Sequence, residues 1–379
     1  MRVCFVSTYP PTECGIATYT KYLSDAVKEC EKEVVVVTQD GGEGENVFAT
    51  YSPLDPDISS KLFHVASKLT PDVVNVQHEY GLFGADMGVQ IVDFLVRCRL
   101  ANIPTVTTLH TVYKELERHF VIMLENIIGN SSAIIVHESY QKETLKQHFP
   151  QFDEKVFVLP HGVRDLEPRK DAKELLGLEG KKVLLLAGYF RPSKCFHKIV
   201  EVFPQIAEKV DDAVLLVAGK MRGLEFADYQ KYFFDLINNS PVFDKIQVLR
   251  GQFPQHTFDI IMSAGDVLAM PYEVGAQSGI LAQSAAFELP VVTSDIPSFE
   301  LWNEKIKGGL TAHNEPEYVD HIVKILNDDE YRSTLKKNIC ENTRSRKWYP
   351  IAKDHIKIFE KYIKVPYGRG RYFYIPEGQ

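Results

Sequence analysis

Short runs of β-branched and aliphatic residues recur along this chain at the spacing of strands that alternate with helices, and no other feature constrains its fold as much. They lie at residues 3–6, 34–38, 73–77, 105–109, 133–136 and 156–159, bounded by turn residues, with helical periodicity between most of them. Most of these runs are dominated by β-branched and aliphatic residues and do not alternate apolar with polar. Strands buried on both faces read that way, so the pattern predicts a parallel sheet covered by helices on both sides. A polar stretch over residues 164–181 interrupts the rhythm, which restarts at 183–187 and continues at 214–218, 246–249, 267–270 and 291–293. A boundary near residue 170 follows, and 379 residues suffice for two cores. Beyond Asp328 the pattern is helical, ending in an amphipathic stretch over 348–364 and a basic, aromatic tail. The tail reads as an arm packed on the other domain, with peripheral membrane, acceptor or partner contact as the alternative.

Composition narrows the function. A formal net charge of −8 lacks the basic balance that phosphate neutralisation of nucleic acid requires. The six cysteines, Cys4, Cys14, Cys30, Cys98, Cys195 and Cys340, form no close pairs, so neither a disulfide framework nor a metal knuckle is expected. The chain enters directly on a strand, too short an apolar segment for a signal peptide, and no apolar run reaches the roughly 18 residues of a membrane span. A cytoplasmic location is the expectation.

Ligands of doubly wound sheets sit outside the carboxyl ends of the strands, so the loops after the strands carry the chemistry. The first strand runs into STYPPTECGIATYT, whose single Gly15 cannot supply the three-glycine turn of a dinucleotide fingerprint, which disfavours a nicotinamide oxidoreductase. The run at 183–187 is followed by GYFRPSK, where Arg191 and Lys194 present two cations suited to a departing diphosphate. The run at 267–270 is followed by PYEVGAQSGIL, a small-residue loop entering a helix near Ser278 whose free amides make an anion site. In the first half, QHEYGLFG and LHT place His78, Glu79, Tyr80 and His110 at strand ends. His161, in VLPHGV, reads as a turn residue. Asp55 and Asp57, a DPD pair in a proline-rich segment, read as a solvated turn rather than a metal site.

The ordered series STYPP…CGIATY, VQHEYGLFG, TTLHT, VLPHGV, GYFRPSK, LLVAG, MPYEVGAQSGIL…ELPVVTSD and a final W…IA helix resembles family 4 of the retaining glycosyltransferases with the GT-B fold. The resemblance spans nearly the whole chain. It implies two Rossmann-like, doubly wound parallel-sheet domains facing a deep cleft: an acceptor domain over 1–170, rejoined by 350–379 crossing back, and a nucleotide-sugar donor domain over 171–349. It further implies transfer of a hexose, with retention, from a nucleotide-diphosphate sugar to an acceptor hydroxyl of a sugar, oligosaccharide or glycolipid. GDP-mannose is favoured over UDP-glucose by resemblance alone, and neither cofactor nor metal is expected.

Residue by residue, Gly15 matches the glycine loop beneath the transferred sugar and His110 the histidine close to sugar and acceptor. Arg191 and Lys194 match the diphosphate grip, the amides around Gln277, Ser278, Gly279, Ile280 and Leu281 the distal phosphate site, and the segment ending at Phe253 the base contact. His78, Glu79 and Tyr80 fall to the acceptor side. One departure stands out. Many members carry two glutamates eight positions apart, and here those positions hold Gly275 and Gln283. Gln283 is expected to hold the ribose through neutral hydrogen bonds, and Glu273 to stand in for the first glutamate as a catalytic group. The missing acids keep two alternatives open: a sugar-nucleotide epimerase or glycoside phosphorylase on the same fold, or a non-catalytic sugar-nucleotide-binding subunit.

Overall fold

A computed structural model describes residues 1–220, 226–251, 253–275 and 278–364. The chain divides into two units, one of Met1–Gly162 rejoined from Arg346 onward, the other of Val163–Ser345.

The first unit is built on seven strands: β1 (Arg2–Ser7), β2 (Glu33–Gln39), β3 (Val47–Tyr51), β4 (Val73–His78), β5 (Thr105–Leu109), β6 (Ala133–Val136) and β7 (Val156–Val158). They are parallel throughout, in the order β3-β2-β1-β4-β5-β6-β7. Val3 pairs with Val34 on one side and with Val73 on the other. Every residue of β1 and β4 is buried, as expected of central strands in a parallel sheet covered on both faces.

The second unit repeats the plan with β8 (Lys182–Tyr189), β9 (Ala213–Lys220), β10 (Ile246–Arg250), β11 (Val267–Met270), β12 (Val291–Thr293) and β13 (Gly309–Thr311). Their order is β10-β9-β8-β11-β12-β13, again parallel. In both sheets the strand order reverses about the first strand, opening a crevice at the carboxyl ends of β1 and β4 and of β8 and β11, where such folds bind ligands.

Two strands, β3 and β13, have no counterpart in the sequence reading. Both are short edge strands with partly exposed side chains, so they lack the buried apolar signature by which the central strands are recognised.

A single apolar core under both faces of the second sheet runs from Leu184, Leu186 and Phe203 to Val291, Ile322 and Ile339. In the first unit one face is covered by Leu62, Phe94, Leu124 and Ile127. The other face carries the helix Gly15–Glu29 and the closing helix Trp348–Tyr362, which buries Trp348, Ile351, Ala352 and Phe359 against Tyr19, Leu23 and Val27. Gly162 is required there, because a Cβ at that position would drive into the Trp348 indole. Among the described residues no helix is long and apolar enough to cross a membrane. The tail from residue 365 lies outside the described residues.

Candidate functional site

In the second unit the loops after β8 and β11 meet around Tyr272. Gly188, near the end of β8, adopts φ +133°, a conformation that disfavours side chains, and the loop after Tyr189 carries Arg191 and Lys194. The Lys194 ammonium rests 3.4 Å from the centroid of the Tyr272 ring. Burial pushes the Tyr272 hydroxyl up, opposed in part by the Ser278 side chain and the Arg191 charge. The loops are tied by the Glu273 amide donating to the Ser193 carbonyl at 3.2 Å. Neither cation has a carboxylate partner among the described residues, and Arg191 Nε is buried without any hydrogen-bond acceptor. Burial, reinforced by the neighbouring guanidinium, lowers Lys194 to a pKa of about 7. Two unpaired cations side by side are costly unless an anion joins them.

The helix Gly279–Ala286 begins at the same place, with Ser278 as its N-cap. Ser278 Oγ accepts from the Leu281 amide at 3.4 Å, so that amide is already engaged and those of Gly279 and Ile280 are the ones left for a ligand. Ile280 lies at the Gly188 turn. Gln283 Oε1 is buried with no partner among the described residues. Phe253, at the end of the β10 loop, is half-buried against the core. Gln277 lies outside the described residues.

Glu273 is not gathered with these groups. Its carboxylate is exposed and pairs with Lys198 at 2.9 Å, on the wall of a cavity of about 470 Å³ shared with Asp295, His313 and Tyr318 but not with Arg191, Lys194 or Ser278. The expectation that it replaces a glutamate facing the sugar stays a proposal; here the carboxylate is held by Lys198, on the helix Phe196–Lys209.

In the first unit, Gly15 opens the helix Gly15–Glu29, whose N-cap residue, Cys14, makes no side-chain capping bond. A Cβ on Gly15 would meet nothing within 4 Å, so its bareness serves no internal packing. His110, directly after β5, is 6% exposed. Its Nε2 lies 2.8 Å from Gln77 Oε1 and its amide donates to the His78 carbonyl at 3.2 Å. Gln77 Nε2 in turn donates to Asn75 Oδ1, and Asn75 Nδ2 donates to the Val106 carbonyl at 2.9 Å. The Tyr19 ring stands edge-on to His110 at 4.7 Å, with His161 and Trp348 each 5.0 Å from it and His137 at 5.3 Å. Desolvation, aided by the surrounding imidazoles, holds His110 well below the ordinary histidine range.

Glu79 joins the two loops. Its carboxylate accepts from the Tyr80 amide at 3.0 Å and from the Thr111 hydroxyl at 2.6 Å, while burial pushes its pKa up. Tyr80 packs between His78 and Phe120. His78 itself requires a correction. Strand β4 runs one residue further than its apolar run, carrying His78 to full burial with both ring nitrogens unpartnered, so it is a residue of the interior and not of an acceptor surface. The reading of His161 as a turn residue is also incomplete, since its ring belongs to the Tyr19 cluster. Asp55 accepts from the Ser52 amide and pairs with Lys61 at 2.8 Å.

Gln77, Asn75, Tyr19 and Tyr272 are the residues that sequence reasoning passed over. A polar pair inside a buried strand, NVQ within VVNVQH, was the available signal for the first two, because polar groups are buried where they have partners.

The pattern of these two units matches two family models: "Glycosyltransferase Family 4" over residues 14–165 and "Glycosyl transferases group 1" over residues 168–341. The chain belongs to the family 4 glycosyltransferases. Among curated relatives, this glycosyltransferase is 21% identical to the alpha-monoglucosyldiacylglycerol synthase of Acholeplasma laidlawii, over 93% of this chain and 94% of that protein. Among solved structures it resembles sucrose-phosphate synthase from Thermosynechococcus elongatus, with a TM-score of 0.77 at 16% identity, covering 95% of this chain and 98% of that one. The Anabaena HepE structure in complex with UDP-glucose gives a TM-score of 0.74 at 14% identity, covering 95% and 100%. The fold of this glycosyltransferase is GT-B, with two parallel-sheet α/β domains.

Proposed function

We propose that this glycosyltransferase moves a hexose from a nucleoside-diphosphate donor to a hydroxyl of a sugar, oligosaccharide or glycolipid, with retention of anomeric configuration and without a metal. The observation that carries this reading is the pair of cations, Arg191 and Lys194, without carboxylate partners among the described residues and beside the amino end of the helix Gly279–Ala286. As the glycosidic bond to the donor breaks, negative charge develops on the β-phosphate. Arg191, Lys194 and the amides of Gly279 and Ile280 supply the stabilisation that a bound metal supplies elsewhere. The acceptor oxygen bonds to the anomeric carbon on the face the leaving group vacates, while the glycosidic bond to the diphosphate oxygen breaks and that oxygen takes the hydroxyl proton; the family resemblance gives neutral His110 a place close to sugar and acceptor. Tyr80 and Tyr113, in the aromatic group with Phe120, offer an apolar platform on which a sugar ring stacks.

The donor is of the UDP-glucose or GDP-mannose type. HepE's complex with UDP-glucose supports a uridine nucleotide, and the resemblance of the motifs supports mannose. The scattered, unpaired cysteines support a cytoplasmic location.

Calorimetry with UDP-glucose and GDP-mannose, followed by release of free nucleoside diphosphate on adding acceptors in excess EDTA, tests the whole reading. We expect binding of one donor, turnover that survives the chelator, and a loss of about tenfold to hundredfold in affinity for Arg191→Ala, the weight of one charged hydrogen bond. Absence of binding by either donor class would refute it. Binding without turnover on a broad acceptor panel would favour a non-catalytic sugar-nucleotide subunit, the reading motivated by Gly275 and Gln283.

A further inference from the structure

We infer that Gln77 is a positioning residue that locks His110 in one neutral tautomer, protonated on Nε2, so that Nδ1 offers its lone pair to a hydroxyl in the active site. The inference rests on the proposed role of His110 near the reacting sugar, but its structural part stands on a chain of hydrogen bonds whose direction is forced.

The chain starts at a group that can only accept. The Val106 carbonyl takes a hydrogen bond from Asn75 at 2.9 Å, so the atom facing it must be the amide nitrogen of Asn75. The Asn75 oxygen is then the acceptor for Gln77, which must present its own nitrogen there. That leaves Gln77 Oε1, an acceptor, facing His110 Nε2 at 2.8 Å. An imidazole nitrogen opposite an obligate acceptor must carry a proton. Reversing any one amide would set two donors or two acceptors against each other, and with Asn75, Gln77 and His110 all buried no water is at hand to relieve the mismatch.

The surroundings keep the ring from taking a second proton. The groups facing His110 are the Tyr19 ring from the helix Gly15–Glu29, His78 at the end of β4, His137 after β6, His161 after β7 and His355 on the closing helix. All five are neutral side chains at pH 7, so none offers an imidazolium a counter-charge, and burial disfavours the charged ring. A neutral ring with a fixed tautomer is an acceptor at Nδ1, which suits the hydroxyl of a sugar and does not suit a phosphate oxygen. Gln77 thus acts through His110 and touches no substrate itself.

Nitrogen-15 spectra of histidine-labelled full-length protein, with His110→Gln used to assign the His110 signals, test the structural claim without reference to turnover. At pH 7 we expect a pyrrole-type Nε2 and a pyridine-type Nδ1 for His110, and in Gln77→Leu a shift toward a mixture of tautomers. A proton on Nδ1 in the wild type, or an unchanged tautomer in Gln77→Leu, would overturn it. The functional claim is read from the pH profile. Gln77→Glu sets a carboxylate against Nε2–H, raises the basicity of the ring, and is expected to move the acid limb of kcat to higher pH; Gln77→Leu is expected to lower kcat about threefold to tenfold with KM little changed. An acid limb that stays in place in Gln77→Glu would show that Gln77 is only structural. If no donor is turned over at all, the proposed function fails while the tautomer result still stands or falls by its own spectra.

Discussion

A buried ammonium group with a guanidinium for a neighbour, and no carboxylate partner among the described residues, gives up its proton easily. That is the state of Lys194, whose pKa lies near 7 rather than 10.5, chiefly through burial and then through Arg191. At pH 8 the free side chain is therefore largely neutral. A bound diphosphate restores the charge, so binding draws a proton from solution above pH 7, and affinity falls as the pH rises through that value. Titrations of nucleoside diphosphate at pH 8, in buffers of different ionisation enthalpy, should report uptake of a substantial fraction of a proton, abolished in Lys194→Met. A binding enthalpy that is independent of the buffer would mean that Lys194 does not meet the ligand. Charge alone did not reveal this residue. The sequence motif marked Lys194 as a cation, whereas its depressed basicity comes chiefly from burial, which only the folded structure imposes.

At the scale of the element, the proposal rests on the amino ends of two helices, each opening on a glycine where an added Cβ would meet no neighbour among the described residues. Cβ atoms built on Gly15 or Gly279 meet no neighbour within 4 Å. In Gly15→Ala the protein should keep its thermal midpoint, or gain slightly from the better helix propensity of alanine, while donor affinity falls because a methyl group stands between the ligand and the free amides. Calorimetry and a melting curve on the same sample separate the two effects. Unchanged donor binding would remove the helix Gly15–Glu29 from the site. Closing elements matter for a different reason: the helix Trp348–Tyr362 is anchored through Trp348 in a slot that Gly162 leaves open, which is why VLPHG and the distant W…IA segment belong to one structural feature.

For the molecule as a whole, acid stability follows from the imidazoles buried in the first unit. Burial holds His78 and His137 down to about 3, and His161 and His355 down to about 4, against an ordinary value of 6.5. Depressed folded values mean that the unfolded chain binds protons first. The stabilisation is complete above pH 6.5 and is lost as the pH falls from there toward 4, with a slope approaching about 1.4 kcal/mol per pH unit for each imidazole. Urea midpoints at pH 7.5, 6 and 5 should fall steadily, and His355→Phe should flatten the decline; a midpoint constant across that window would contradict the assignment. What the sequence determined by itself was the architecture, and with it which loops lie at the carboxyl ends of the strands. Runs dominated by β-branched and aliphatic residues are local signatures of strands buried on both faces, and the alternation with helices dictates which loops end up at the carboxyl edge. Only the tertiary structure decided how the side chains there are used. Glu273 pairs with a lysine 75 residues away (273 − 198), His78 is drawn inside by one extra residue of strand, and His110 takes its tautomer from Gln77 across 33 residues. Partners chosen by packing across such distances leave no trace in the local pattern, because the pattern records burial and not neighbours.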